Sequence, residues 1–385
     1  MKSSTNLSRL KIDAVKNLPH LEWASGLTFT LPSPLANHLR HTGDTHDNDS
    51  ITLAPSHINA ETIALSQRLL TSHRSIAAFT NTQPISSRLP INYQYIPSFI
   101  RDKVANVIGR MKRAKVAQWG HFPSWPLDLS ADFIADLGKQ NPHPASGLTP
   151  VLLTHDLDSL EGLKHVVSLF LDIEEKVGAR SANYIVPCAW KIDHALVQEL
   201  IQRGHEVGIH GFDHSNKTPF LSVSERKKRL SAALPLIKQY DIQGYRAPSL
   251  LRTKELLQDL AHFYRYDSSI PTSGGPFPIP NNGCASARPF QIEGIWEIPL
   301  SMPRDGSLLF LGYSHQEILD MWIRCASLIA KSGGVVNLLT HCEYRFSGNK
   351  AMLDIYKQFL TYLAHSGKFK FVLPKDILES RVKAA

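Results

Sequence analysis

Residues 150–165 read PVLLTHDLDSLEGLKH, an apolar run that ends in two aspartates, Asp156 and Asp158, one residue apart. A short run of Val and Leu bounded by Pro and a polar cluster has the texture of a buried strand. Helical spacing follows, through about Val177. The same beat continues down the chain: ANYIVP precedes DHALVQELIQRG, HEVGIHG precedes SVSERKKRLSAALPLIKQY, and QGYRAPS precedes TKELLQDLAHF. Ser222 and Glu225 have the spacing of a capping box at the start of the second of these helices. YRYDSSI, GIWEIPLS, GVVNLLTH and FKFVLP complete the series of strand candidates. Seven or eight apolar runs interleaved with helices predict an α/β fold over residues 146–385, a distorted (β/α)7-8 barrel, because each parallel neighbour needs its crossover helix.

Residues 1–145 have a different texture and are read as an N-terminal extension packed on the barrel. They are partly irregular and rich in Ser, Thr, Asn, His and Pro; HLRHTGDTHDNDSI reads as an exposed loop that binds nothing. Helical spacing appears near residues 97–117, and HFPSWPLDLS follows as a connector whose Phe122, Trp125 and Leu127 need cover. The 385 residues carry a net charge of +8, and residues 1–150 hold 15 Lys and Arg against 10 Asp and Glu. Arg101, Lys103, Arg110, Lys112, Arg113 and Lys115 are opposed only by Asp102, so residues 101–115 form a solvated basic face able to make a weak contact with an anionic surface. Nothing resembles a nucleic-acid module, and no nucleic acid partner is expected. Cys188, Cys284, Cys325 and Cys342 show neither zinc-knuckle spacing nor a disulfide framework. Without a signal-peptide pattern or an 18-residue apolar run, the expectation is a cytoplasmic protein.

In a (β/α) barrel the carboxyl ends of the strands form the active face. The first run ends in Thr154, His155, Asp156 and Asp158, the third in His210 with His214 four residues on, and the fourth in Arg246 and Pro248. A later run carries Trp296 and Glu297, and GVVNLLTH ends in Thr340 and His341. Two imidazoles four residues apart and one carboxylate suit an open three-ligand metal site. A second carboxylate nearby is placed to act as general base on water that the metal has acidified. His155 and His205 read as packing or surface histidines, and Trp296 as either core or a sugar-stacking platform.

The order of THDLDS, HEVGIHGFDHS, GYRAPSL, WEIPLS and LLTHCEY resembles the polysaccharide deacetylase family, the carbohydrate esterases of family 4 with the nodulation-factor deacetylase homology domain, over roughly residues 148–375. The resemblance implies a distorted barrel that removes acetyl groups from sugars with a divalent metal, commonly zinc. It implies Asp156 as general base, Asp158, His210 and His214 as metal ligands, Arg246 as the group that orients the base, and His341 as the acid for the leaving group. Four features depart from the family pattern. Leu157 splits the paired aspartates, Gly211 replaces a hydroxyl residue, and Ser249 stands where an aromatic is usual, its backbone N–H still suited to an oxyanion hole. No Asp-Trp motif follows, which leaves Asp267 or Glu297 as the carboxylate that tunes His341.

The function expected is a metal-dependent hydrolase that removes N- or O-linked acetyl groups from a sugar or glycan intermediate. Two alternatives are a non-catalytic glycan-binding protein on the same barrel and a hydrolase of a non-sugar C–N bond.

Overall fold

In the computed structural model, the residues described are five strands within 8–53, short stretches within 60–68 and 79–80, residues 82–116 and 126–132 except 130, and residues 147–382 except 275–281. The N-terminal strands, β1 (Ser8–Asp13), β2 (Leu18–Glu22), β3 (Thr28–Thr30), β4 (Asp44–Asp47) and β5 (Ser50–Leu53), form an antiparallel sheet in the order β3-β2-β1-β5-β4. The stretch expected to be a loop therefore supplies β4 and β5. Its alternation of polar and β-branched residues is too short to have signalled strands; β5 is made by pairing with β1, and β4 by pairing with β5.

The second sheet decides the architecture. Its strands are β6 (Thr149–Leu157), β7 (Ser181–Ile185), β8 (Glu206–Ile209), β9 (Gly244–Tyr245), β10 (Tyr266–Asp267), β11 (Phe290–Ile292), β12 (Ile295–Glu297), β13 (Val336–His341) and β14 (Phe369–Phe371). The order is β11-β12-β10-β9-β8-β7-β6-β13, with β14 also on β6, and every pairing is parallel except the β11–β12 hairpin. This is a mostly parallel, curled sheet, the distorted barrel that the strand-helix beat predicts. Its two edges meet without a continuous ladder: Met302 N–H donates to Asn337 O at 3.1 Å, and Ser301 Oγ donates to Val335 O at 2.6 Å.

Pleat alternation sorts side chains between two faces. On β6, Val151, Leu153 and Leu157 point outward into the main core, packed with Phe170, Leu171 and Phe359 of the covering helices. Leu152 points inward with Ala182, Tyr184 and Tyr266, and the helix Pro374–Val382 closes that inner layer with Ile377 and Leu378. The rings of the inner layer need room, which two glycines supply. A Cβ on Gly208 would lie 2.5 Å from the Tyr184 ring, and one on Gly244 2.1 Å from Tyr266. The same alternation carries Thr154 and Asp156 to the inner face above Leu152.

Part of the N-terminal segment belongs to this core. Leu127 and Leu129 are fully buried in it, and Asp132 accepts hydrogen bonds from Ala287 N–H at 2.9 Å and Ser286 Oγ at 2.5 Å. Phe122 and Trp125 lie outside the described residues. The helix Ser98–Val116 is inverted relative to an ordinary surface helix. Arg101, Asp102, Ala105, Gly109 and Arg113 face the barrel domain, whereas Phe99, Val104, Val107 and Met111 are exposed. The basic cluster is thus not a simple solvated face. Asp102 pairs with Arg345 at 3.1 Å, Arg113 binds Glu317 at 3.2 Å and the Gly312 carbonyl, and Lys103 and Arg110 stand in solvent.

Candidate active site and metal centre

Asp156 and Asp158 leave β6 at its carboxyl end, and Ser159 then caps the helix Leu160–His165 by accepting from Gly162 N–H at 3.2 Å. That cap holds Asp158 at the mouth of the barrel. His210 follows β8, and the chain turns sharply after it. Gly211 has a φ of 71°, and a Cβ there would sit 2.5 Å from Pro248, which accounts for glycine where a hydroxyl residue is usual. His214 itself is left-handed, with a φ of 56°. Such a conformation costs about 1–2 kcal/mol in a non-glycine residue and persists only where its surroundings enforce it. Here Asp213 does so, accepting from Ser215 N–H and from Arg229 Nη1, each at 3.0 Å.

The turn brings three ligand atoms together. One nitrogen from each of His210 and His214 and a carboxylate oxygen of Asp158 all lie within 4.8 Å of one another. Asp158 Oδ1 is 3.2 Å from His214 Nε2 and 3.5 Å from His210 Nε2, and it is buried with no hydrogen-bond partner. A buried carboxylate oxygen with two imidazole nitrogens and no donor of its own fits a divalent cation. His210 Nδ1 lies 3.0 Å from the Arg246 carbonyl, which accepts a proton carried on that nitrogen and leaves Nε2 free to face a cation. Burial pushes His210 down to about 4, so this imidazole is neutral and available near neutral pH. Burial opposes ionisation of Asp158, but His214, His341 and His210 outweigh it and hold the carboxyl well below the usual range.

Beside the candidate ligands stands a second pair. Arg246, fully buried at the end of β9, donates from Nη1 to Asp156 Oδ1 at 3.1 Å and to Thr154 Oγ1 at 3.0 Å. Its Nε donates to Ser268 O at 2.9 Å, and the guanidinium lies 4.2 Å from the centre of the Tyr184 ring. Four fixed contacts orient the cation, and the cation orients Asp156. Asp156 Oδ2 remains 3.5 Å from His210 Nε2, directed at the ligand cluster.

His341 ends β13 in register with Asp156 on β6, so the two side chains share the inner face. Its partner is Asp305, which sequence reading missed. Asp305 Oδ1 faces His341 Nδ1 at 2.8 Å, while Oδ2 accepts from His341 N–H and from Ser347 Oγ, each at 2.7 Å. Burial works against the imidazolium, and the Asp305 charge overcomes it and raises His341 to about 9.

Asp267 and Glu297, the expected partners of His341, lie elsewhere. They pair in register on β10 and β12, one residue out of phase with inward-facing Tyr266 and Trp296, so the pleat turns them away from the cavity. There Asp267 accepts from Ser269 Oγ at 2.6 Å and Glu297 from Ile270 N–H at 2.9 Å. Burial raises both carboxyls, Glu297 also through the charge of Asp267. Trp296 is half-buried and packs on the inner apolar layer with Leu152, Ala182 and Tyr266. Ser249 stands in a left-handed turn with a φ of 53°, and its side chain is within hydrogen-bonding reach of Tyr93. His155 and His205 are packing histidines: His155 bridges Thr340 at 2.8 Å and Glu174 at 2.7 Å, and His205 accepts from Ser181 N–H at 3.0 Å.

Two more residues escaped the sequence reading because they come from the segment read as irregular. Tyr93 and Gln94 approach His214 from the N-terminal side, at 3.0 and 2.6 Å from its Nδ1.

No protein-family model matches the chain, and no curated protein matches it in sequence. Among solved structures, its fold matches that of a polysaccharide deacetylase candidate of Mycobacterium smegmatis, with a TM-score of 0.50 at 17% identity over 63% of this chain and 93% of that one. It is also similar to a polysaccharide deacetylase candidate of Pseudomonas aeruginosa PAO1, with a TM-score of 0.49 at 12% identity over 66% and 97% of the two chains. A third similar structure is a family 4 carbohydrate esterase pseudoenzyme of Bacillus anthracis, with a TM-score of 0.40 at 14% identity over 61% and 66%. At these identities the likeness is one of fold. The chain shares with that Mycobacterium smegmatis structure a curled α/β sheet, the fold that its motifs imply.

Proposed function

We propose that the protein is a metal-dependent hydrolase that removes acetyl groups, N- or O-linked, from a sugar or glycan intermediate, with zinc as the metal. The observation that carries this reading is the orphaned Asp158 Oδ1, buried between two imidazole nitrogens and flanked by an oriented carboxylate and a charged imidazole. Asp158, His210 and His214 would hold the cation. A divalent metal held there would supply Lewis-acid polarisation of an acyl oxygen and would acidify water near neutral pH.

The chain's own groups supply the remaining steps. Asp156, fixed by Arg246, takes the proton from the attacking water. His341 is protonated below about 9 and gives its proton to the departing sugar nitrogen or oxygen. Ser249 N–H is assigned to the oxyanion. A binding-only protein would have no use for this separation of base and acid, and that separation favours turnover over the non-catalytic alternative.

No disulfide joins the cysteines at 188, 284, 325 and 342, which supports a reducing compartment, and we propose a cytoplasmic location from the sequence pattern. Among the described residues no helix is long and apolar enough to cross a membrane. Acetate release from acetylated hexosamines by zinc-loaded protein tests the reading. Zinc binding without release from any acetylated sugar, but with hydrolysis of cyclic amides, would favour the non-sugar C–N alternative.

A further inference from the structure

His214 is gripped from outside the barrel domain. Residues 86–102 run over the loop that carries it. Asn216 Nδ2 donates to Ser86 Oγ at 3.2 Å, Lys217 Nζ to the Pro90 carbonyl at 3.4 Å, and Asn92 Nδ2 to the Asp213 carbonyl at 3.1 Å. Asn92 also caps the turn Tyr93–Tyr95 by accepting from Gln94 N–H at 3.0 Å. Arg101 donates to Gln94 Oε1, and its neighbour Asp102 is paired with Arg345 beyond β13. The segment is anchored on both sides of the ligand cluster.

These contacts bear on one proton. If His214 is to offer Nε2 to a cation, its ring proton must sit on Nδ1 and find an acceptor there. Because Arg101 occupies Gln94 Oε1, the amide presents Nε2, a donor, toward the imidazole. Gln94 Nε2 donates to the Tyr93 hydroxyl oxygen at 3.0 Å and also lies 2.6 Å from His214 Nδ1. The Tyr93 oxygen, 3.0 Å from Nδ1, is the acceptor in reach. The two neighbours therefore favour opposite tautomers. Tyr93 suits the metal-binding one, and the Gln94 amide suits the one whose Nε2–H faces Asp158.

We propose that Tyr93 and Gln94 are positioning residues for the metal, Tyr93 by accepting the Nδ1 proton of His214 and Gln94 by opposing it, so that the N-terminal segment is an integral part of the metal site. The proposal rests on the reading of Asp158, His210 and His214 as ligands. The affinity of the full-length chain for Zn²⁺ alone, measured by competition with a chelating dye, tests it without reference to turnover. Tyr93→Phe is expected to weaken Zn²⁺ by about 10–100-fold, the usual cost of losing the partner of a ligand imidazole. Gln94→Glu replaces the donor by an acceptor and is expected to tighten it. Combining the two should repair the Tyr93→Phe defect, and excess Zn²⁺ should restore the kcat of Tyr93→Phe. A merely structural role predicts that both single variants weaken binding, and that result overturns the proposal. So does Zn²⁺ affinity unchanged in both single variants while His214→Ala abolishes it, with the metal-site reading intact. Failure of the unmodified chain to bind Zn²⁺ overturns both.

Discussion

Asp305 holds His341 through two atoms at once, its Oδ1 2.8 Å from the imidazole Nδ1 and its Oδ2 2.7 Å from the backbone nitrogen of the same residue. The double grip fixes both the ring and the strand end that bears it, and leaves Nε2 as the free nitrogen. It also sets a pH window. His341 is raised from 6.5 to about 9, so its bonus to folding is complete below about 6.5 and is lost as pH rises through about 9. Asp305 is depressed by His341 despite burial, so its bonus is present above the ordinary carboxyl range and lost as pH falls below it. Asp305→Asn should move the alkaline limb of kcat/KM from about 9 toward 6.5. The stability gap between wild type and variant, measured by denaturant titration across pH, should narrow above about 9. A limb that stays in place would remove Asp305 from this role.

How far the sequence discloses such a pair depends on where its members lie. His341 ends an apolar run, and the strand-end rule finds it. Asp305 begins a six-residue helix after MPR, with no periodicity to mark it, and is brought to His341 only by the crossing of β13 and the segment after β12. The same rule misleads at Glu297 and Asp267, because strands of two and three residues give the pleat too little length in which to show its phase. The strand-end rule reaches Asp156 near the end of β6, Asp158, His210 and Arg246 just past the ends of their strands, and His214 four residues beyond His210. It does not reach Tyr93 and Gln94, since a single turn held by long-range hydrogen bonds has no local pattern.

Exchanging the two aspartates for asparagine separates their roles. Asp158→Asn should lose metal, whereas Asp156→Asn should retain it and fall by roughly 10²–10⁴ in rate, the worth of a placed acid or base. His341→Ala should keep the metal too. Its defect should be smaller on an activated aryl acetate than on an acetamido sugar, because a good leaving group departs without His341's proton. Metal analysis beside turnover of both substrates checks all three. Metal loss confined to Asp156→Asn would exchange the assignments.

Arg246 is both a structural and a chemical element. Replacement by Met strands the Asp156 carboxylate in a buried site, a loss of about 3–5 kcal/mol for a broken buried pair. Lys keeps the charge but cannot span Thr154, Asp156 and Ser268 together. Arg246→Lys should therefore stay folded, with near-normal metal content and a kcat reduced by at least tenfold. Thermal melts with kinetics distinguish the two variants, and full activity in Arg246→Lys would show that charge alone suffices.

Removing residues 1–145 tests whether the barrel stands by itself. The deletion takes Leu127 and Leu129 out of the main core and leaves Ala287 N–H and Ser286 Oγ without the Asp132 carboxylate that accepts from them. A buried donor without its partner costs about 1–3 kcal/mol, and losing two leucines costs several more. The cut also removes the helix Ser98–Val116, whose Gly109 lies so close to the Phe310 backbone that a Cβ would sit 2.0 Å from its carbonyl oxygen. A chain starting at residue 146 should aggregate or lose activity, read by light scattering and acetate release. Gly109→Val in the full chain, which pushes only the helix away, should keep the barrel folded while weakening Zn²⁺ binding. If the shortened chain is monodisperse and fully active, the N-terminal segment is a separate module and its contacts with His214 are dispensable.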